Sequence, residues 1–385
     1  MPLIPAPASP AGLSPVTRRG FLATALAMTA GLTRSVRSVG FAAEPGSPTT
    51  RRGIKLGFDN FAVRAMNWNA RQLIDHANSL GCDSVFITDF GPFEARRDDA
   101  SLDEVRRYAA DRGIDVVLGS WSVCPSSSTF KRDYGTAEEH LADGIRMAKA
   151  LGSPAFRVIL GNQADRLTPG GIDARIADMV KVLQAVKPQA ADAGVRIAVE
   201  NHAGDMQSRE LERLIVEAGP DVVGVNFDSG NACWALEDPL DALRRLAPHI
   251  VTTSLRDAML WKEGDDVAVQ WTAMGEGCLD LPAFFDHFAT HCPGVTVHVE
   301  TISGFAKTFP IDDRSFWKAY PNARAADLAA FLALASRGRR LEPFRPDPTR
   351  PREEGERIYQ LAELDRSITY CREQLRLGLR DSSAG

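Results

Sequence analysis

Short apolar runs alternate with longer stretches of helical periodicity from residue 54 onward. Eight of the runs predict buried strands: 54–61 (IKLGFDNF), 83–90 (DSVFITDF), 114–121 (IDVVLGSW), 155–162 (AFRVILGN), 195–202 (VRIAVENH), 221–228 (DVVGVNFD), 250–257 (IVTTSLRD) and 294–301 (GVTVHVET). The intervening stretches predict helices, among them 69–81 and 101–113, and Gly81, Gly113, Gly152, Gly194 and Gly219 mark their C-terminal ends. Eight βα units over about 250 residues predict a (β/α)8 barrel of the α/β class. A doubly wound open sheet is the competing architecture. It usually carries a Gly-rich phosphate turn after its first strand, and GFDNFAVRAMNW (57–68) has no G-x-G-x-x-G spacing.

The ends of the chain lie outside this alternation. Residues 17–22 (TRRGFL) place Arg18–Arg19 before an apolar run, Phe21 to Leu32, and Ala42–Ala43 offers small residues for cleavage. Residues 1–43 therefore read as a twin-arginine export signal, although Arg34 and Arg37 behind the run are atypical. Residues 44–53 read as a linker, 54–305 as the barrel, and 306–385 as a C-terminal extension that packs on the barrel or on a neighbouring subunit of a homo-oligomer. The expected location is periplasmic or extracellular, with the twin-arginine export machinery as a partner. No later stretch is apolar enough to predict a membrane span in the mature chain.

Composition changes this picture little. The chain is 44% hydrophobic and 25% charged with a net charge of -5, which argues against a nucleic-acid surface. The six cysteines form no C-x-x-C pair. A chain that folds before export folds in a reducing compartment, so mostly free, buried thiols are expected.

Barrel chemistry sits at the C-terminal ends of the strands. There the fifth run ends in Glu200, Asn201 and His202, the sixth in Asp228, the seventh in Ser254, Arg256 and Asp257, and the eighth in His298 and Glu300. Carboxylates from three strands converging on one mouth would repel one another unless a divalent cation lay between them. Trp121, Trp234, Trp261 and Trp271 fall at or after strand ends, where flat aromatic faces suit the C–H faces of a sugar ring. Arg157, Arg166, Arg256 and Lys307 are the basic residues available to the mouth, without a clustered phosphate cradle. The expected substrate is therefore unphosphorylated.

The motifs VENH (199–202), FDSGN (227–231), SLRD (254–257), MGEGCLDL (274–281) and VET (299–301) resemble, in order and spacing, the xylose-isomerase-like barrels of the sugar phosphate isomerase/epimerase family. The resemblance implies one divalent metal, Mn2+ first with Mg2+, Co2+ or Zn2+ as alternatives, bound by Glu200, Asp228, position 254 and Glu300. Glu200 and Glu300 would also carry the catalytic proton. It implies an isomerase or epimerase working through an enediolate. A lyase or dehydratase acting on a 3-keto-glycoside or inosose-like substrate and a non-catalytic sugar-binding barrel are the alternatives, and the small number of histidines disfavours the multi-zinc endonuclease branch of the fold.

The chain departs from the family at position 254, where Ser254 replaces the usual histidine, and a neutral hydroxyl is a poor ligand beside imidazole. Either three carboxylates and water suffice, or His202 or His298 substitutes. Each shares a face with its neighbouring glutamate but sits about 6–7 Å away along the strand. His202, Arg256, Trp121 and Trp234 are expected to bind substrate. His298 stands between a replacement ligand and a buried, hydrogen-bonded core histidine. Asp257 is expected to orient a neighbour, and Asn201 and Asn231 to support the carboxylates.

Overall fold

The computed structural model describes residues 51–93, 96–302, 305–345 and 347–380. The twin-arginine stretch at Arg18–Arg19 and most of the 44–53 linker lie outside the described residues. Seven strands follow one another as expected: β1 (Leu56–Asp59), β2 (Ser84–Ile87), β3 (Asp115–Ser122), β4 (Ala155–Ile159), β5 (Arg196–Glu200), β6 (Val223–Phe227) and β7 (Ile250–Thr253). The chain then leaves the barrel as an antiparallel hairpin, β8 (Asp257–Glu263) and β9 (Asp266–Thr272), and returns as β10 (Val297–Val299). The parallel order β10-β1-β2-β3-β4-β5-β6-β7 is closed by a parallel bridge between Leu255 and Val299. Across it the Leu255 N–H donates to the His298 carbonyl (2.7 Å) and the Glu300 N–H to the Leu255 carbonyl (2.9 Å). This is a (β/α)8 barrel.

The strands are short and buried on both faces, as parallel strands under a helical layer must be. Their outward residues, such as Phe58, Val85, Phe156, Ile197, Val199, Val225 and Val299, join one apolar core with the helices. Many of their inward residues are small or polar, among them Gly57, Ser84, Gly119, Ala198, Asn226 and Thr252, with Phe86 packed between them. At Gly57 a Cβ would lie 2.3 Å from the Ser84 carbonyl oxygen, so the interior has no room for a side chain there.

Helices α1 (Ala70–Ser79), α2 (Asp99–Ala110), α3 (Ala137–Leu151), α4 (Gly171–Ala193) and α5 (Ser208–Ala218) follow β1 to β5. Reciprocal side-chain caps start α1 (Asn69 with Gln72) and α3 (Thr136 with Glu139), and Gly152 and Gly194 end α3 and α4 at φ 73° and 68°. The short α6 (Ser229–Trp234) and α7 (Pro239–Leu246) follow β6, and α8 (Leu281–His291) precedes β10.

Beyond β10 the chain adds β11 (Ala306–Phe309) to β9, which makes a three-stranded antiparallel sheet, β11-β9-β8, with its own apolar cluster. Phe331, Leu334 and Ala335 of α9 (Ala325–Arg337) complete that cluster. The C-terminal extension then supplies α10 (Arg352–Glu373), whose Leu364, Ile368 and Cys371 join the barrel core beside Leu56 and Cys82. As the last helix after β10, α10 stands where the eighth helix of a (β/α)8 barrel stands. Its tail returns across the start of β1, with the Gly378 N–H on the Ile54 carbonyl (2.9 Å) and the Leu379 N–H on Asp83 Oδ2 (2.9 Å). All six cysteines are free, and all but Cys278 are buried. Among the described residues no helix is long and apolar enough to cross a membrane.

Candidate metal and proton-transfer site

The inward row of strand-end residues meets at the C-terminal mouth. Glu200 ends β5, Asp228 follows β6 and caps α6, and Glu300 follows β10; one oxygen of each lies within 4.8 Å of the others, and all three are buried. Amides and guanidinium groups fix their orientation. Glu200 Oε2 accepts from Arg157 Nε (2.6 Å) and from Asn226 Nδ2 (2.7 Å), and Oε1 accepts from Asn231 Nδ2 (3.2 Å). Asp228 accepts from the Asn231 N–H (2.9 Å) and from Asn231 Nδ2 (2.6 Å). Asn201 bridges the Asp228 backbone, accepting its N–H (2.9 Å) and donating to its carbonyl (2.7 Å). Asn201 and Asn231 therefore support the carboxylates.

Arg256, 1% exposed, donates through Nη2 to both Asp228 and Glu300. Its guanidinium carbon lies 4.4 Å from the Trp271 ring centre, while its Nε and Nη1 have no hydrogen-bond partner among the described residues. Gly230 makes this approach possible, because a Cβ there would lie 2.5 Å from Arg256 Cγ and 2.9 Å from Trp271 Nε1.

A fourth carboxylate, Asp59, ends β1. It accepts from the Phe61 N–H (2.9 Å), from Thr88 Oγ1 (3.2 Å) and, through Oδ2, from Ser254 Oγ (3.2 Å). Four buried carboxylates thus face two guanidinium groups, Arg157 and Arg256, which leaves two negative charges over. The titrations reflect that excess. Burial, opposed by Arg256 and reinforced by Glu200, raises Asp228 to about 7. Burial likewise pushes Asp59 up to about 6, and Glu300 well above the usual carboxylate range. Glu200 is the exception: burial opposes its charge, but Arg157 outweighs it and holds the carboxyl below its ordinary value. An all-oxygen donor set whose carboxyls hold protons more tightly for want of counter-charge fits a divalent cation, which would displace those protons.

The structure separates the other expected site residues. Ser254 reaches the ring of polar side chains but is engaged by Asp59 and by Asn226 Nδ2 (3.2 Å). His202 lies at the mouth, its Nδ1 paired with the Gly161 carbonyl (2.7 Å) and its ring edge-on to Trp121 at 5.3 Å; Trp121 is 40% exposed. Trp234, at the end of α6, stacks on Trp271 at 4.1 Å.

At three positions where the sequence leaves two readings open, the structure places the side chain away from the carboxylates. His298 does not reach the carboxylates. It shares a face with Glu300 but lies a layer deeper, its Nε2 paired with Ser84 Oγ (2.9 Å) and its ring 5.2 Å from Phe86. Burial drives it down to about 3, so it is a neutral core histidine. Trp261 packs with Met259 and Ala268 on the hairpin and donates to Glu263 (2.7 Å), away from the mouth. Arg166 is occupied by Glu210 (2.7 and 2.8 Å) and by the carbonyls of Asp205 and Ala319 (each 2.7 Å). Asp257 orients a loop, accepting from the N–H groups of Ala258, Gly275, Gly277 and Leu279. The sequence reading passed over Asp59 and Asn226. Each had a signal: a carboxylate at the end of the first apolar run, and an amide on the same face as Asp228 in the sixth.

Fold and site together define a barrel with a carboxylate-lined mouth. A family model for the xylose isomerase-like TIM barrel matches residues 74–332, so the chain belongs to that family. Among curated proteins it is 30% identical over 127 residues to the uncharacterized protein YihM of Escherichia coli K12, covering 32% of this chain and 39% of that protein, well under two thirds of its length. It is 22% identical over 213 residues to the 3-oxo-isoapionate decarboxylase of Pectobacterium atrosepticum, covering 55% and 70%. Among solved structures it resembles the D-psicose 3-epimerase of Clostridium cellulolyticum H10 with D-tagatose (TM-score 0.53, 13% identity, 82% of this chain and 99% of that one). It also resembles an IOLI protein with a bound zinc atom (TM-score 0.51, 16% identity, 73% and 96%). At these identities the structural likeness speaks for the fold.

Proposed function

We propose that the chain is a metal-dependent isomerase or epimerase of an unphosphorylated sugar or keto-sugar derivative. The observation that carries this reading is the convergence of Glu200, Asp228 and Glu300 within 4.8 Å in a buried, net-negative mouth. These three residues would hold one divalent cation. When bound, that ion would supply positive charge, a Lewis acid toward substrate oxygens that gain negative charge.

The chain's own residues do the rest. Glu200, on the strand next to that of Asp228, and Glu300, after β10 on the far side of β7, carry the proton off and onto carbon. Arg157, Asn226 and Asn231 fix the carboxylate of Glu200, so its oxygens meet the substrate in one orientation. Arg256 binds Asp228 and Glu300 and has two donor nitrogens left for a substrate oxygen. His202, held by Gly161, and Trp121 form the outer edge that meets the sugar and excludes water.

The test is solvent exchange. Purified protein in D2O with Mn2+ should place deuterium at the carbon next to the carbonyl of a keto-sugar substrate, and Glu200→Gln or Glu300→Gln should slow that exchange at least a hundredfold. Exchange at the parent rate in both variants would remove proton transfer from these residues. We also propose export by the twin-arginine route, motivated by Arg18–Arg19 ahead of the Phe21–Leu32 run. Replacing both arginines with lysine should retain the protein in the cytoplasm, and unchanged secretion would refute the assignment.

A further inference from the structure

A cleft of about 610 Å3 is lined by Trp234, Phe309, Phe316, Leu167, Gln163 and Lys307. It starts at Ala203, the residue after His202, and Trp234 ends the helix that Asp228 caps. Six residues of helix place Trp234 about 9 Å along the axis from Asp228, a separation suited to one sugar. Much of the wall comes from β11 and the turn Phe316–Ala319, outside the barrel strands.

Lys307 is the unusual group in this cleft. Its Nζ lies 5.0 Å from the ring centre of Trp234 and 5.1 Å from that of Phe309, and it donates to Gln163 Oε1. Gln163 is itself anchored, donating through Nε2 to Tyr320 Oη (2.8 Å), and Tyr320 lies under the Arg166 guanidinium at 4.2 Å. Among the described residues no carboxylate reaches Lys307 within 4.0 Å; Asp313, which also lines the cleft, is turned to Ser315 (2.7 and 2.6 Å). The half-buried cation is therefore held by a built network and has donors that the protein leaves unused.

We propose that the substrate of this site is a sugar acid whose carboxylate is bound by Lys307 while its reacting carbons lie at the carboxylate cluster. The inference rests on the proposed site and adds the class of substrate. A phosphate would present the same negative charge. One ammonium with a single amide beside it suits a carboxylate better than a phosphate, which calls for several converging donors.

Binding of D-glucuronate, D-glucose and D-glucose 6-phosphate, read as the change in tryptophan fluorescence of the full-length protein, tests this. The parent should bind glucuronate at least fivefold more tightly than glucose and more tightly than glucose 6-phosphate. Lys307→Met should bring glucuronate to within twofold of glucose, with the far-ultraviolet circular dichroism spectrum as the control for folding; Lys307→Arg should restore part of the preference. The preference should persist in Asp228→Asn, so failure of the metal reading would not mimic failure here. Equal binding of glucuronate and glucose by the parent, a preference that survives Lys307→Met, or tighter binding of glucose 6-phosphate would each overturn the proposal.

Discussion

Two residues sharpen the account of the mouth. Ser254 stands where an imidazole is expected, and its hydroxyl is shared between Asp59 and Asn226 on the rim of the cluster. Ser254→His should therefore add a ligand and raise Mn2+ affinity about tenfold, since an imidazole replaces water or a weak hydroxyl. Calorimetric titration of the two proteins would show it, and unchanged or weaker binding would mean the position does not face the ion. His298 predicts the opposite pattern. It is paired with Ser84 and packed on Phe86, so His298→Ala should cost about 2 kcal/mol of stability through a cavity and a lost hydrogen bond, with metal content unchanged. Metal loss in that variant, at intact fold, would contradict its placement in the core.

Between residues and the whole, individual elements explain what could be read in advance. The eight barrel strands were legible because their outer faces are continuous apolar rows, and Glu200, Asp228 and Glu300 because carboxylates close those rows at one level. The β8–β9 hairpin was not read. Its first strand begins at Asp257, where the seventh apolar run was expected to end, and its turn signal, the Gly264 at φ 65° within EGDD, was absorbed into a βα unit. Neither the Trp234–Trp271 stack nor the Lys307 cleft could follow without it. Spacing already places His298 about 6–7 Å before Glu300 along the strand, but its pairing with Ser84 follows only from the register of β10 against β1 and β2.

The loop after β5 makes a prediction at the same scale. Asp205 ties the β4 and β5 exits together, accepting from the N–H groups of Gly161, His202 and Met206, yet burial raises it to about 8. A raised carboxyl binds its proton more tightly in the folded state, so its contribution is full below the unfolded value near 4 and is lost as pH rises through 8. The melting temperature of the parent minus that of Asp205→Asn should fall between pH 4 and pH 9; a flat or rising difference would show that Asp205 stays charged.

For the molecule as a whole, the chain after β10 is structural as well as peripheral. Leu364, Ile368 and Cys371 of α10 are buried in the barrel core, so Leu364→Ala should lower unfolding free energy by about 3 kcal/mol, measured by denaturant titration. A loss under 1 kcal/mol would mean α10 only rests on the barrel. The central claim, however, is that the mouth holds a metal because its charges require one. The most direct measurement is metal content of the purified protein, loaded with Mn2+ and desalted, beside Asp228→Asn, which removes one charge at nearly constant volume. The parent should carry one divalent ion per chain and the variant should lose most of it with unchanged folding; equal metal in both, or none in the parent, would contradict a metal site at the mouth.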